Sequence, residues 1–240
     1  MANTYFQFKQ FTVNQEHCAM KVCTDACIQG AFTAQYLVHH GVAVKRILDI
    51  GTGTGLLSLM LAQVHPAAIT AVELDPGAAL QARENFNASP WQERLDVQEV
   101  DVRQLPVSEK FDFIISNPPF YESALKSGHQ QKDKAMHATS LGYSELLEAI
   151  GMHLKPGASF SILLPYVEFQ AFRALAASKG YHLHQLLQVR QSMKHGYFRA
   201  VGIFSAAARE TSITDMDIRD MENQYTPAFI ALLKAYYLKL

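Results

Sequence analysis

The chain has 240 residues, 49% of them hydrophobic, enough for one well-buried α/β domain, and its 21 basic and 22 acidic residues give a formal net charge of −1. That balance argues mildly against a protein that coats nucleic acid through many phosphate contacts. No apolar stretch is long enough to span a bilayer, and Met1 to Gln10 is polar and aromatic, so the expectation is a cytoplasmic protein without a secretory leader or a membrane anchor.

Before the first core strand, Lys21 to Gly30 places Thr24 and Asp25 ahead of an apolar, helical stretch that either could cap. Cys18, Cys23 and Cys27 are odd in number. Their C-x4-C-x3-C spacing lacks the C-x2-C knuckle of structural zinc sites, so they read as reduced thiols around a helix, and no metal is expected. The strand Arg46-Ile47-Leu48-Asp49-Ile50 follows, then Gly51-Thr52-Gly53-Thr54-Gly55 and the apolar helix Leu56 to Val64. Strand, glycine loop and helix form a nucleotide-cofactor cradle, because glycines let the backbone approach a ligand and a helix N-terminus favours its anionic end. The strand Ile69 to Leu74 brings Glu73 and Asp75 to its end, placed to accept from ribose hydroxyls. A third strand, Leu95 to Val100, ends at Asp101, which suits an adenine amine.

A dinucleotide oxidoreductase would carry G-x-G-x-x-G, but Leu56 stands where its third glycine belongs. The phosphate loop is excluded too, since no lysine follows Gly55. A cofactor without phosphate, S-adenosylmethionine, fits better: it offers a carboxylate, a sulfonium and an adenosine.

The fourth strand, Phe111 to Ser116, runs into Asn117-Pro118-Pro119-Phe120. Each proline fixes φ and biases the residue before it toward extended geometry. The Asn117 oxygen and the Pro118 carbonyl then stand as fixed acceptors, with Phe120 as a stacking face. That set holds a planar group bearing an –NH2, binds both amine hydrogens, and aims the nitrogen lone pair at an electrophilic methyl. A stiff turn alone would also explain Pro-Pro after a strand. A pyrimidine C5-methyltransferase would need a cysteine near Phe120, and none lies there.

Ser123 to Ser140 is polar and cationic, with Lys126, His129, Lys132, Lys134 and His137, and reads as a loop at the mouth of the site, an RNA clamp or a merely solvated segment. Tyr143 to Leu154 is helical, Lys155-Pro156-Gly157 is a stop and turn, and Ser159 to Leu164 is a fifth strand. Val167 to Lys179 is a helix with Phe169, Phe172 and Leu175 inward. His182 to Val189 and Ala200 to Ser205 form a hairpin across Lys194-His195-Gly196-Tyr197-Phe198-Arg199, which is either a simple turn or a second RNA contact. His182 and His184 share a strand face and read as packing. Thr226 to Leu240 reads as a C-terminal helix. One domain over 1–240 is expected, with 1–44 covering the site and 45–240 forming the catalytic sheet.

The run from Ile47 through Phe120 resembles the class I S-adenosylmethionine-dependent methyltransferases that methylate amino groups. Phe8-Lys9-Gln10-Phe11, Cys18 to Asp25, Ala71-Val72-Glu73-Leu74-Asp75, Ser89-Pro90-Trp91 and Asn223-Gln224-Tyr225 resemble, more narrowly, the bacterial tRNA1(Val) adenine-37 N6-methyltransferase family. Cys23 replaces that family's usual glycine before the Thr-Asp pair. The resemblance implies a Rossmann-like α/β fold with a seven-stranded mixed sheet, its last strand antiparallel and helices on both faces. It implies S-adenosylmethionine as cofactor and the adenine beside a valine tRNA anticodon as substrate. Lys21 and Thr24 join Asp49, Gly51, Gly53, Gly55, Glu73, Asp75, Asp101 and Asn117 as expected cofactor contacts. Asn117, Pro118, Pro119 and Phe120 are the expected catalytic set. Lys126, Lys132, Lys134, Lys194 and Arg199 are the expected tRNA contacts of a monomer. Three other readings stay open: methylation of a protein glutamine amide, methylation of a guanine N2 in ribosomal RNA, and a catalytically silent RNA-binding scaffold. Against the first, only about forty residues precede the first strand, too few for an N-terminal helical substrate domain.

Overall fold

A computed structural model describes residues 3–18, 20–40, 44–119 and 141–240. Phe120 and the 123–140 stretch with Lys126, Lys132 and Lys134 lie outside the described residues. The elements in chain order are β1 (Tyr5–Gln7), β2 (Thr12–Asn14), α1 (Thr24–His39), β3 (Arg46–Ile50), α2 (Leu56–Val64), β4 (Ala68–Glu73), α3 (Pro76–Asn87), β5 (Leu95–Glu99) and β6 (Phe111–Ser116). After them come α4 (Tyr143–His153), β7 (Leu154–Pro165), α5 (Tyr166–Ser178), β8 (His182–Arg190), β9 (Tyr197–Ser205), β10 (Ser212–Asp217) and α6 (Pro227–Leu233).

The main sheet has the order β10-β8-β9-β7-β6-β3-β4-β5. β9 runs antiparallel to both neighbours, and the remaining pairings are parallel. β3 pairs with β4 on one side and β6 on the other, so the chain reverses its direction of travel across the sheet there. Such a switch point opens a crevice at the C-terminal strand ends, where open α/β sheets bind ligands. Alternate residues along each strand feed opposite faces. Ile47, Ile69, Phe113 and Ile115 join a core with α1, α2 and α3, while Leu48, Val72 and Ile114 join one with α4 and α5.

The seven expected strands are present, and β10 adds an eighth, parallel to β8 at the sheet edge. Its residues are mostly exposed, with Met216 buried, so it carries too little apolar alternation to be read from sequence. The expected turn Lys155-Pro156-Gly157 is instead an irregularity inside β7: the register jumps from Phe111↔Leu154 to Phe113↔Ser159, with Gly157 at φ +75°. The C-terminal helix ends at Leu233, well short of Leu240. Beyond it the chain turns back to the N-terminal hairpin, where Phe8 bridges Tyr237 and the Lys9 N–H donates to the Tyr236 carbonyl (2.8 Å). Neither Thr24 nor Asp25 caps α1. Cys23 occupies the N-cap with extended backbone and no side-chain bond, and Asp25 pairs with Arg199 (2.6 Å). His184 is buried at the sheet end, where Nε2 meets the Ala207 carbonyl (2.7 Å) and Ser205 Oγ (3.0 Å). Among the described residues no helix is long and apolar enough to cross a membrane, and no group of three His, Cys, Asp or Glu side chains is placed to hold a metal ion.

Candidate active site

The loops after β3, β4, β5 and β6 converge on one cleft with two adjoining lobes. The first, about 450 Å³, is lined by Gly51, Glu73, Asp75, Asp101, Arg103 and Pro119 among others. The second, about 320 Å³, is lined by Lys21, Cys23, Gly51, Gly53, Glu73, Asp75 and Asn117 among others. The shared residues Gly51, Glu73, Asp75 and Pro119 make the lobes one site.

Glu73 organises its floor. Its Oε2 accepts from the Gly53 N–H (2.8 Å), and its Oε1 accepts from the N–H groups of Leu74 (2.8 Å) and Asp75 (3.0 Å). Gly53 sits at φ +55°, and a Cβ there would enter open space, so the bare backbone is the wall of the cleft. Gly55 has a different task. At φ +82° it starts α2, and a Cβ would come within 2.5 Å of the Phe86 ring, so this glycine permits helix packing and lies off the cleft lining.

Asp49 also lies beneath the cleft rather than in its lining. It is fully buried, and its Oδ2 accepts from the hydroxyls of Thr52 (2.6 Å) and Ser58 (2.7 Å), tying the glycine loop to α2. Burial pushes its carboxyl from the ordinary 3.8 up to about 6, against the two hydroxyl donors. A pKa raised on folding means the folded state binds the proton more tightly, so this group's contribution is present below pH 3.8 and lost as pH rises through about 6. The substitution Asp49→Asn removes the titration, and thermal melts of both proteins across that range should show a shallower fall for the variant. Parallel curves would assign the pH dependence to other groups.

Asp101 caps the 3-10 turn Val102–Gln104, and both of its oxygens are engaged by Arg103, the closest approach being 2.5 Å. That pairing holds its carboxyl below the usual range. Arg103 supplies three donor groups to a carboxylate with roughly four acceptor positions, which leaves room on this cleft-lining residue for one further donor. Asn117 lies at the end of β6 with its Oδ1 buried and, among the described residues, lacking a hydrogen-bond partner. A buried acceptor left unpaired costs about 1–3 kcal/mol, and a ligand amine would supply the missing donor. Its Ser116 neighbour is held on both sides: the Ser116 hydroxyl donates to the Ile50 carbonyl (2.9 Å), and Gln29 Nε2 donates to the Ser116 carbonyl (2.9 Å). Pro118 is buried and Pro119 exposed on the lining.

The N-terminal segment forms the opposite wall. Gln81 Oε1 accepts from the N–H groups of Glu16 (3.0 Å) and His17 (3.2 Å), and Gln15 Oε1 accepts from the Val22 N–H (2.8 Å). These anchors bring Cys18, Met20, Lys21 and Cys23 against Thr52 to Leu57. Lys21 Nζ meanwhile donates to the Asn3 carbonyl (3.0 Å). Sequence reasoning missed the thiols as cleft lining; their spacing signals metal or packing, and only the fold shows their place. Burial raises both thiols, Cys18 to about 11, so they stay protonated near neutral pH and neither is a ready nucleophile. Thr24 is not brought to this cleft and lines a separate one. Of the expected tRNA contacts, Lys194 is exposed on the β8–β9 turn and Arg199 is paired with Asp25.

The donor set fits S-adenosylmethionine: a bare glycine wall, carboxylates at two strand ends for hydroxyl or amine donors, and no phosphate-binding lysine after the loop. A family model for the methyltransferase small domain matches residues 30–157. A tRNA1(Val) (adenine(37)-N6)-methyltransferase from Dyadobacter fermentans is 43% identical, covering 99% of this chain and 98% of its own. The chain belongs to the tRNA1(Val) (adenine(37)-N6)-methyltransferase family. A member from Phocaeicola vulgatus is 37% identical over the full length of both chains. Among solved structures, an O-methyltransferase predicted for Agrobacterium tumefaciens superposes with a TM-score of 0.65 at 18% identity, covering 88% of this chain and 96% of that one. The glycopeptide N-methyltransferase MtfA, solved with S-adenosyl-L-methionine, gives 0.53 at 13% identity, covering 73% and 93%. These distant likenesses show the Rossmann-like methyltransferase fold. As a member of the family the chain is an S-adenosylmethionine-dependent methyltransferase.

Proposed function

We propose that this chain methylates the N6 amine of adenine 37 in tRNA1(Val), as the names of its full-length relatives indicate for them. The observation that carries the reading is Asn117 at the end of β6, a residue of the cleft lining whose Oδ1 is buried and has no hydrogen-bond partner among the described residues. Bound S-adenosylmethionine supplies a methyl already activated on a sulfonium. Gly51, Gly53, Glu73 and Asp75 would hold it, and Lys21 lies on the wall above.

Asn117 Oδ1 and the Pro118 carbonyl accept the two amine hydrogens and favour a pyramidal nitrogen with its lone pair aimed at the methyl. Transfer of the methyl that S-adenosylmethionine would supply would form the N–C bond as the donor's S–C bond broke, with one amine proton passing to water. Orientation carries the step, so the chain needs no nucleophile of its own. Phe120 is proposed to stack on the target ring. The adenine must be unstacked first, which an anticodon loop permits more readily than a duplex. Lys126, Lys132, Lys134 and Lys194 are proposed tRNA contacts, and the setting is the cytoplasm, where tRNA matures.

The test uses purified protein, tritiated S-adenosylmethionine and, in separate reactions, tRNA, ribosomal RNA and release factors from a strain lacking the gene. Label is expected in tRNA alone, digesting to N6-methyladenosine within the anticodon-loop fragment of tRNA1(Val). Label in protein or ribosomal RNA instead would replace this substrate with another.

A further inference from the structure

A second cleft of about 350 Å³ lies beside the active site, lined by Cys23, Thr24, Gln191, Phe198, Arg219 and Tyr225 among others. Cys23 is a wall of both clefts, so whatever enters the second one lies next to the methyl-transfer site. Resting on the tRNA reading above, we propose that this cleft binds a nucleotide adjoining the target adenine, taking its base on an arginine–aromatic stack and its phosphate on Arg219.

Two arginine–aromatic pairs furnish the walls. The Arg219 guanidinium lies 4.4 Å from the Tyr225 ring centre, and the Arg199 guanidinium lies 5.1 Å from that of Phe198. Tyr225 in turn stacks on Phe229 (4.7 Å, 22°), which is fully buried. The platform is thus rooted in the core while Arg219, Tyr225 and Phe198 remain half-exposed. Arg199 is bound to Asp25, whereas no carboxylate forms an ion pair with Arg219 among the described residues. Arg219 instead donates to the Asn223 carbonyl (2.6 Å), and the acid that also lines this cleft, Asp25, is paired with Arg199.

The loop that presents it is constrained. Asp220 Oδ1 accepts from the N–H groups of Glu222 and Gln224 (2.9 Å each), Arg219 bridges Tyr225, and Asn223 is held at φ +62°. A non-glycine residue in the left-handed region costs free energy, and such strain persists where the surroundings impose it. Here it brings Arg219 back over Tyr225. Splayed bases of single-stranded RNA are held by aromatic rings and guanidinium planes, with cations on the linking phosphates, and this cleft offers both. Gln191 adds an amide able to reach a base edge.

The experiment titrates labelled full-length tRNA1(Val) transcript against wild type, Arg219→Gln and Tyr225→Leu over a salt series, with methyl transfer, S-adenosylmethionine affinity and melting temperature read on the same preparations. Arg219→Gln should weaken tRNA binding about tenfold and reduce the slope of log K against log salt by about 0.7, the share of one phosphate contact in single-stranded RNA. Tyr225→Leu should weaken binding by a similar factor with the slope unchanged. S-adenosylmethionine affinity should hold in both. If wild type binds and methylates the tRNA while Arg219→Gln keeps its affinity and slope, the cleft proposal falls and the tRNA reading stands. Because Tyr225→Leu can perturb packing on Phe229, the Arg219→Gln slope is the deciding quantity. If wild type neither binds nor methylates tRNA, the tRNA reading falls, and the cleft proposal falls with it.

Discussion

Asn117→Ala should lower kcat for tRNA methylation by about 10³-fold while S-adenosylmethionine affinity changes by no more than about threefold. The reason lies in when the Asn117 bond matters. Its Oδ1 is already buried and unpartnered, so the cost of stripping water from it has been met in the folded chain. The acceptor is then strongest toward an amine whose hydrogens become more acidic as the nitrogen gives its lone pair to carbon. An interaction that grows in the transition state reduces kcat when it is removed. Alanine loses that acceptor, whereas Asn117→Asp keeps an oxygen in place and should retain more turnover than alanine. Single-turnover methyl transfer and calorimetric titration of cofactor separate the two quantities. Equal loss of both would make Asn117 a cofactor contact and remove it from the amine.

The glycine-loop strand, its helix and the strand leading to Asn117 were legible because each is short, apolar and ended by residues of unusual backbone demand. The structure gives β3, α2 and β6 the same bounds that the sequence suggests. Where the hydrophobic pattern thins, legibility fails. The β1–β2 hairpin has three-residue strands, and Phe8, stacked on Phe11, is held by Tyr237, a contact that spans nearly the whole chain. β10 exposes most of its side chains, and its pairing with β8 depends on the sheet already being built. At the site, residue type was readable but residue duty was not. Asp49 and Gly55 stand in the expected chain positions, yet one is a buried clamp and the other a packing glycine. Those duties depend on Ser58 and Phe86, and no spacing rule links such pairs.

Glu73 is the acidic residue whose duty is double, so its loss should weaken the cofactor most. With one carboxylate it fixes the Gly53, Leu74 and Asp75 N–H groups, which shapes the glycine wall, and it lines both lobes of the cleft. Three donors leave a carboxylate with one of its roughly four acceptor positions open, enough for a ribose hydroxyl. Hydrogen bonds to a charged group contribute about 1.5–3 kcal/mol each. Glu73→Ala should therefore raise the S-adenosylmethionine dissociation constant by about 100-fold, through the lost hydroxyl acceptor and a relaxed Gly53. Glu73→Gln keeps one oxygen but turns an –NH2 toward backbone donors, so it should fall between alanine and wild type. Affinity for tRNA in the absence of cofactor should not change, because Glu73 faces the glycine loop. Titration of cofactor and of tRNA against the three proteins distinguishes the outcomes. An unchanged cofactor constant in the alanine variant would mean that Glu73 only braces the loop and that the ribose is held elsewhere in the cleft.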